Sequence, residues 1–137
     1  MSPANKVTAF GCPFEGDVPP DRVAALSQAL VEMGAFEVSV SDTIGIAHPG
    51  QVPTVVNAVA ARVPLTKIAL HFHDTRGTGL ANVLAALQLG ARGVVLKESS
   101  CELLFKSIYA VLAGEYWIGR DRVGEHLLHV GPGGCIP

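Results

Sequence analysis

Several features that mark large protein classes are missing or scarce in this sequence. Charged residues fill only 16% of its 137 positions, and the formal net charge is -2. Such a balance offers no basic face to nucleic acid or to an anionic membrane surface. No apolar run reaches the roughly 18 residues that a membrane-spanning helix needs. The stretch Met1 to Lys6 is polar and lacks the apolar centre of a secretory leader. The three cysteines, Cys12, Cys101 and Cys135, stand far apart and form no CxxC pair. That pattern excludes a disulfide framework and suits a reducing compartment. Neither a Walker A run nor a GxGxxG loop is present. What remains is an apolar chain, 49% hydrophobic, long enough for one packed core. The expectation is a soluble cytoplasmic protein with no nucleic-acid partner and no membrane partner.

The positive signal is alternation. Strand-like and helix-like stretches follow one another with a period of about thirty residues, as in βαβ units. Val7 to Gly11 reads as a first strand, and Pro19-Pro20-Asp21 opens a helix with Val23, Leu26, Leu30 and Met33 on one face. Gly34 suits its C-terminal end. Phe36 to Val40 reads as a second strand. A second helix follows Pro49-Gly50, with Pro53 in its first turn, a stripe of Val52, Val55, Val56, Val59 and Val63, and a stop at Pro64. Lys67 to Phe72 is the third strand. Leu80, Val83, Leu84 and Leu87 mark a third helix ending at Gly90. Val94-Val95-Leu96 is a short fourth strand, and Ser100 can cap a fourth helix carrying Leu104, Ile108 and Val111. The predicted fold class is α/β: a parallel (βα)4 partial TIM barrel (a half-barrel), either left open or closing as a small flavodoxin-like sheet. A whole barrel typically needs about 250 residues, so this chain alone cannot close one.

The sharpest chemical feature is His71-Phe72-His73-Asp74 at the end of the third strand. Residues i and i+2 of a strand share a face, so His71 and His73 can offer two imidazoles to one metal ion. The C-terminal edge of a parallel sheet is where sites form. Two nitrogens with a carboxylate suit a divalent transition metal with open positions. A chance pair of histidines on one strand is the competing reading. Asp42, at the end of the second strand, can ligate, hold a water or orient a histidine; an Asx turn is equally common for an isolated Asp. Glu15 and Asp17 follow the first strand, where solvated loop charges are the plainer reading. Arg76 can meet a carboxylate or phosphate or simply lie exposed. Cys135, in a glycine-rich run, can be an acid or a spare thiol.

Together the motifs resemble a family. Gly11-Cys12-Pro13-Phe14-Glu15-Gly16-Asp17, Ser41-Asp42-Thr43-Ile44-Gly45 with Pro49-Gly50, and His71-Phe72-His73-Asp74-Thr75 are similar to three strand ends of the 3-hydroxy-3-methylglutaryl-CoA lyases. The run Gly79 to Leu87 also matches. The resemblance implies a pyruvate carboxyltransferase-type TIM barrel, with strands five to seven represented over residues 7–90. It implies divalent-metal-dependent cleavage of 3-hydroxy-3-methylglutaryl-CoA to acetyl-CoA and acetoacetate, with Mg2+ or Mn2+ on His71 and His73. It places Asp42 and Cys135 in catalytic roles and Glu15, Thr43 and Arg76 near the acyl-CoA substrate. Ser41 stands where the family usually has glycine.

Beyond Gly90 the expected continuation fails. Ala91 to Ser99 resembles instead the last strand of a response-regulator receiver domain, with Lys97 at its lysine position. Leu103 to Ile108 and Ala113 to Ile118 resemble its last helix and exit. The expected organisation is therefore a lyase-like partial barrel over 1–92, a receiver-like strand and helix over 93–123 completing the same domain, and a tail over 124–137. The family's strand with an arginine and a metal-binding aspartate has no counterpart before Val7. Two readings follow. One is a lyase site completed by a second copy or a complementary half-barrel chain. The other is a non-catalytic recombined α/β piece with an idle metal motif. A receiver-like signalling module is the remote third.

Overall fold

The structure is a computed structural model and describes residues 5–97 and 99–118. The chain divides into two compact units, Met1–Leu89 and Gly90–Pro137.

The first unit contains β1 (Asn5–Thr8), α1 (Pro20–Glu32), β2 (Val38–Ser41), α2 (Gln51–Ala60), β3 (Ile68–His71) and α3 (Gly79–Gln88). The three strands form one parallel sheet in the order β1-β2-β3. Among the described residues this sheet is not closed into a barrel. Its register aligns Val7, Val40 and Leu70 in one row and Thr8, Ser41 and His71 in the next. Because side chains alternate faces, the first row turns one way and the second the other. Val7, Val38 and Val40 are buried together with Val23 of α1 and Val52, Val55, Val56 and Val59 of α2. Each such valine contributes about 1.5 to 3 kcal/mol relative to leaving it in water, which decides the face that takes the helices. The opposite face is left with the polar row that ends in His71.

Local chemistry sets the element ends. Pro20 stands at the first turn of α1, where its missing N–H costs nothing, and Asp21 favours the positive end of the helix dipole. The Gly34 and Ala35 N–H groups close its C-terminus on Val31 and Leu30 carbonyls. A 3-10 turn at Leu65–Lys67, with no forewarning in the hydrophobic pattern, leads into β3.

Two helix faces differ from expectation. On α1 the buried residues are Val23, Ala24 and Ser27, while Leu26 and Met33 are exposed. On α3 they are Gly79, Asn82, Ala85 and Ala86, while Leu80 and Leu84 face outward. In both cases the inward face is the one with small side chains, which lets the helix backbone approach its neighbours closely. Of the predicted faces, Val23 is buried and Leu30, Val83 and Leu87 are half-buried, so hydrophobic periodicity, which weights large residues, finds the buried side of such a helix only in part.

The second unit holds β4 (Gly93–Val94), α4 (Cys101–Leu112) and β5 (Trp117–Ile118). The fourth strand belongs to the second unit. It pairs in parallel with β5, Gly93 on Trp117 and Val94 on Ile118, making a separate two-stranded sheet. Ser100 caps α4 as its position predicts, its hydroxyl accepting from the Leu103 N–H at 3.3 Å. Lys106 and Glu102, one turn apart on α4, form an exposed ion pair at 2.6 Å. The ammonium's hydrogen bond and charge hold the Glu102 carboxyl below its ordinary value of 4.5. A lowered carboxyl pKa adds stability above the ordinary value and loses it as pH falls through the folded one. Lys106→Ala should return the Glu102 titration upward to the ordinary range, as followed by NMR of its side-chain carbonyl.

Candidate functional site

The site is built where β2 and β3 end. His71 is the last residue of β3 and lies beside Ser41 in the sheet. The ladder runs one bond further, the Asp42 N–H donating to the His71 carbonyl at 2.8 Å. His73 follows two positions on, and the two imidazoles meet edge to face with centroids 4.8 Å apart. Both histidines are half-buried. Phe72 between them turns to Phe10, with ring centroids 5.7 Å apart.

The His73 ring is held by main chain. Its Nδ1 lies 2.6 Å from the Asp42 carbonyl oxygen. A carbonyl only accepts, so Nδ1 carries the proton, and in the neutral ring Nε2 keeps its lone pair. That is the form in which an imidazole ligates a metal through Nε2 while its other nitrogen is fixed by an outer partner. The His73 ring is therefore in the form that could hold a divalent ion, with the His71 ring beside it. Among the described residues no third His, Cys, Asp or Glu joins them in a metal-binding group.

Asp42 itself is fully buried. Its Oδ1 accepts from the Ile46 N–H at 3.0 Å, closing the loop after β2, and its Oδ2 is buried without a hydrogen-bond partner. The carboxylate thus closes its own loop four residues on, not the two of an Asx turn, while the Asp42 carbonyl serves the histidine. Asp74 is exposed, and its Oδ1 accepts from Gly79 N–H at 2.7 Å where α3 begins.

The other sequence-derived candidates are dispersed around this centre. Thr43 and Thr8 hydroxyls lie 3.0 Å apart. Glu15 is exposed and joined to Arg22 of α1 at 2.5 Å. Arg76 is exposed in the loop after β3 and has no ion pair among the described residues. Cys135 lies outside the described residues. An open cleft of about 320 Å³ lies between the exit of β1 and the first turns of α1 and α2, lined by Phe10, Asp17, Pro20, Gln51 and Thr54 among others. Neither histidine lines it, so the concavity and the histidine chemistry do not coincide, and the chemistry identifies the site.

Sequence reasoning missed the residues that set the loop after β2. Gly45 sits at φ +70°, and a Cβ there would run into the Thr75 side chain and come within 3.3 Å of His73 Cβ. The Ala47 carbonyl accepts from Thr78 Oγ1 at 2.9 Å and from Asn82 Nδ2 at 3.0 Å. One signal was available: Asn82 is the polar residue on the small-residue face that α3 buries.

Three parallel βα units with a histidine pair where the last strand ends match a part of a (βα) barrel. The comparisons agree with that class. The HMGL-like family model matches residues 1–96, and the chain belongs to the HMGL-like family. It is 60% identical over 83 residues to the hydroxymethylglutaryl-CoA lyase of Bacillus subtilis, covering 61% of this chain and 28% of that protein. It is 46% identical over 82 residues to the human mitochondrial lyase, covering 60% and 25%. Among solved structures, the B. subtilis HMG-CoA lyase superposes with a TM-score of 0.59 at 56% identity, over 64% of this chain and 30% of that one. An Acinetobacter baumannii HMG-CoA lyase in complex with coenzyme A and 3-methylmalate gives 0.56 at 43% identity, over 61% and 27%. The chain thus spans between a quarter and a third of the length of these relatives. The receiver likeness of residues 91–123 is not supported. The family match itself runs through β4 to Leu96, and β4 is followed by a second parallel strand, β5, in a sheet of its own. No helix among the described residues is long and apolar enough to cross a membrane.

Proposed function

We propose that this chain carries part of the active site of a divalent-metal-dependent lyase that cleaves 3-hydroxy-3-methylglutaryl-CoA to acetyl-CoA and acetoacetate. The observation that carries the reading is the His71–His73 pair, with His73 Nδ1 committed to a carbonyl, in a chain 60% identical to such a lyase over 83 residues. Dependence on a divalent metal is general in the family, and Mg2+ or Mn2+ is the ion assigned here. A bound divalent ion stabilises the oxygens that gain charge as the carbon–carbon bond breaks. His71 and His73 hold and orient it.

The remaining roles fall to groups around the pair. The Thr43 hydroxyl and the Arg76 guanidinium are donors for the acyl-CoA substrate, Arg76 suiting a carboxylate or phosphate. Glu15 reaches substrate only by leaving Arg22. Asp42 acts near the substrate, and the Cys135 thiol supplies the proton that the acetyl-CoA carbanion needs. Two imidazoles do not make a full shell, so the other donors come from residues beyond those described here or from a partner chain carrying further barrel strands. Without them the chain is not a complete catalyst.

The test is an assay of acetoacetate release from 3-hydroxy-3-methylglutaryl-CoA with Mn2+. The chain alone should stay at background. Mixing it with a chain that supplies the other barrel strands should raise release, and the gain should vanish with His71→Ala. A mixture that stays at background while Mn2+ is bound would sink the lyase assignment and leave a metal-binding module.

A further inference from the structure

We propose that Asn82 is a positioning residue that fixes the protonation form of the His73 ring from a distance, through the main chain of the loop after β2. The inference rests on the reading of His71 and His73 as metal ligands for its purpose, but not for its geometry.

Asn82 lies in the first turns of α3 and is fully buried. Its Nδ2 donates to the Ala47 carbonyl at 3.0 Å, and its Oδ1 is buried with no partner. A buried amide with half its capacity unmet is costly, and two alanines, Ala85 and Ala86, fill the same buried face without that cost. The return on keeping an asparagine here is the single bond to Ala47. Thr78 Oγ1 donates to the same carbonyl at 2.9 Å, so two side chains of one helix start converge on one oxygen.

That oxygen is at the far end of a closed loop. At the near end, Asp42 Oδ1 accepts from Ile46 N–H at 3.0 Å, so residues 42–46 form a small ring. Gly45 in its middle lies against Thr75 and the Cβ of His73. Pinning Ala47 therefore pins the ring, and the ring presents the Asp42 carbonyl to His73 Nδ1 at 2.6 Å. With that acceptor in place the proton sits on Nδ1 and Nε2 is open. With the loop released, the ring is free to carry its proton on Nε2, which closes the nitrogen that a metal would use. Asn82 touches neither histidine by any of these bonds. It acts by holding the acceptor.

The experiment reads the ring nitrogens directly. Long-range 15N–1H correlation spectra are recorded on the full, metal-free chain at about pH 8.5, where imidazole is neutral. The wild-type His73 should show protonated Nδ1 and unprotonated Nε2. Asn82→Ala should move it toward a mixture of the two forms, and Thr78→Val should do the same to a smaller extent. Far-UV and near-UV circular dichroism at the same temperature select folded samples. Should Asn82→Ala not fold, Thr78→Val carries the test, since it removes one of the two donors to the same carbonyl. A wild-type ring protonated on Nε2 overturns the inference, and so does a folded variant whose ring pattern is unchanged. A purely structural role for Asn82 would lower the melting temperature and leave the nitrogens as they are. In parallel, Mn2+ affinity by electron paramagnetic resonance should fall in Asn82→Ala by up to about tenfold, the low end for a direct outer partner of a ligating histidine, because Asn82 acts one bond further away. If the ring pattern shifts as expected but the wild type binds no Mn2+, the positioning role stands and the metal-lyase reading fails.

Discussion

Replacing His71 and His73 together by alanine should abolish the thermal stabilisation that Mn2+ confers on the wild-type chain. A ligand that binds only the folded state adds RT ln(1 + [L]/Kd), about 2.7 kcal/mol when free ion exceeds Kd a hundredfold. For the unit Met1–Leu89 that corresponds to a rise in Tm of about 10 to 20 °C. The variant should show no rise at the same ion concentration. Both histidines are half-buried, so the substitutions also move the metal-free Tm. The comparison is therefore made within each protein, with and without Mn2+, and the transition followed is that of the unit containing the three-stranded sheet. An equal rise in both proteins would place the ion elsewhere. Absence of a rise in the wild type would mean the pair is idle, the second reading that the sequence allowed.

Gly45→Ala should lower the Tm of the unit Met1–Leu89 by about 20 °C and weaken the Mn2+ response as well. Two costs combine. At φ +70° a residue with a Cβ loses roughly 1 to 2 kcal/mol. The new methyl also overlaps the Thr75 side chain, and such overpacking costs about 1 to 3 kcal/mol. Gly16 provides the control. It has φ +78° and nothing within 4 Å of the added Cβ, so Gly16→Ala should show the backbone part alone. The difference between the two variants measures the contact with Thr75, and Gly45→Ala/Thr75→Gly should recover that difference. Equal effects at the two glycines would mean that the loop after β2 gives way freely, and the idea that it holds His73 would fall with it.

Much of the site was legible because its pieces are short and local. The motif His71-Phe72-His73 keeps two imidazoles within three residues at the end of β3, and their ring centroids lie 4.8 Å apart, although the strand stops at His71 and His73 stands in the loop beyond it. The motifs at the three strand ends carry the family, and the comparisons agree from residue 1 to 96. Less of the packing was legible. Periodicity found α1 and α3 but favoured their leucines, whereas the structure buries Ala24 and Ser27 on one and Asn82, Ala85 and Ala86 on the other. A small residue carries little weight in a hydrophobic pattern, yet it is what lets two backbones come close. The fourth strand was found near its place, but its partner was not: β5 is two residues long, too short for a period to register.

The sequence by itself determined the order of the first strands and helices, two histidines placed where β3 ends, and the family, because each of these is written in neighbouring residues. Only the tertiary structure decided which atom of Asp42 meets His73, that Glu15 is taken up by Arg22, that β4 pairs with β5, and that Asn82 reaches across to Ala47. These contacts join residues up to 35 positions apart. They depend on hydrogen bonds whose partners are chosen by packing, and no local pattern of residue types specifies that choice.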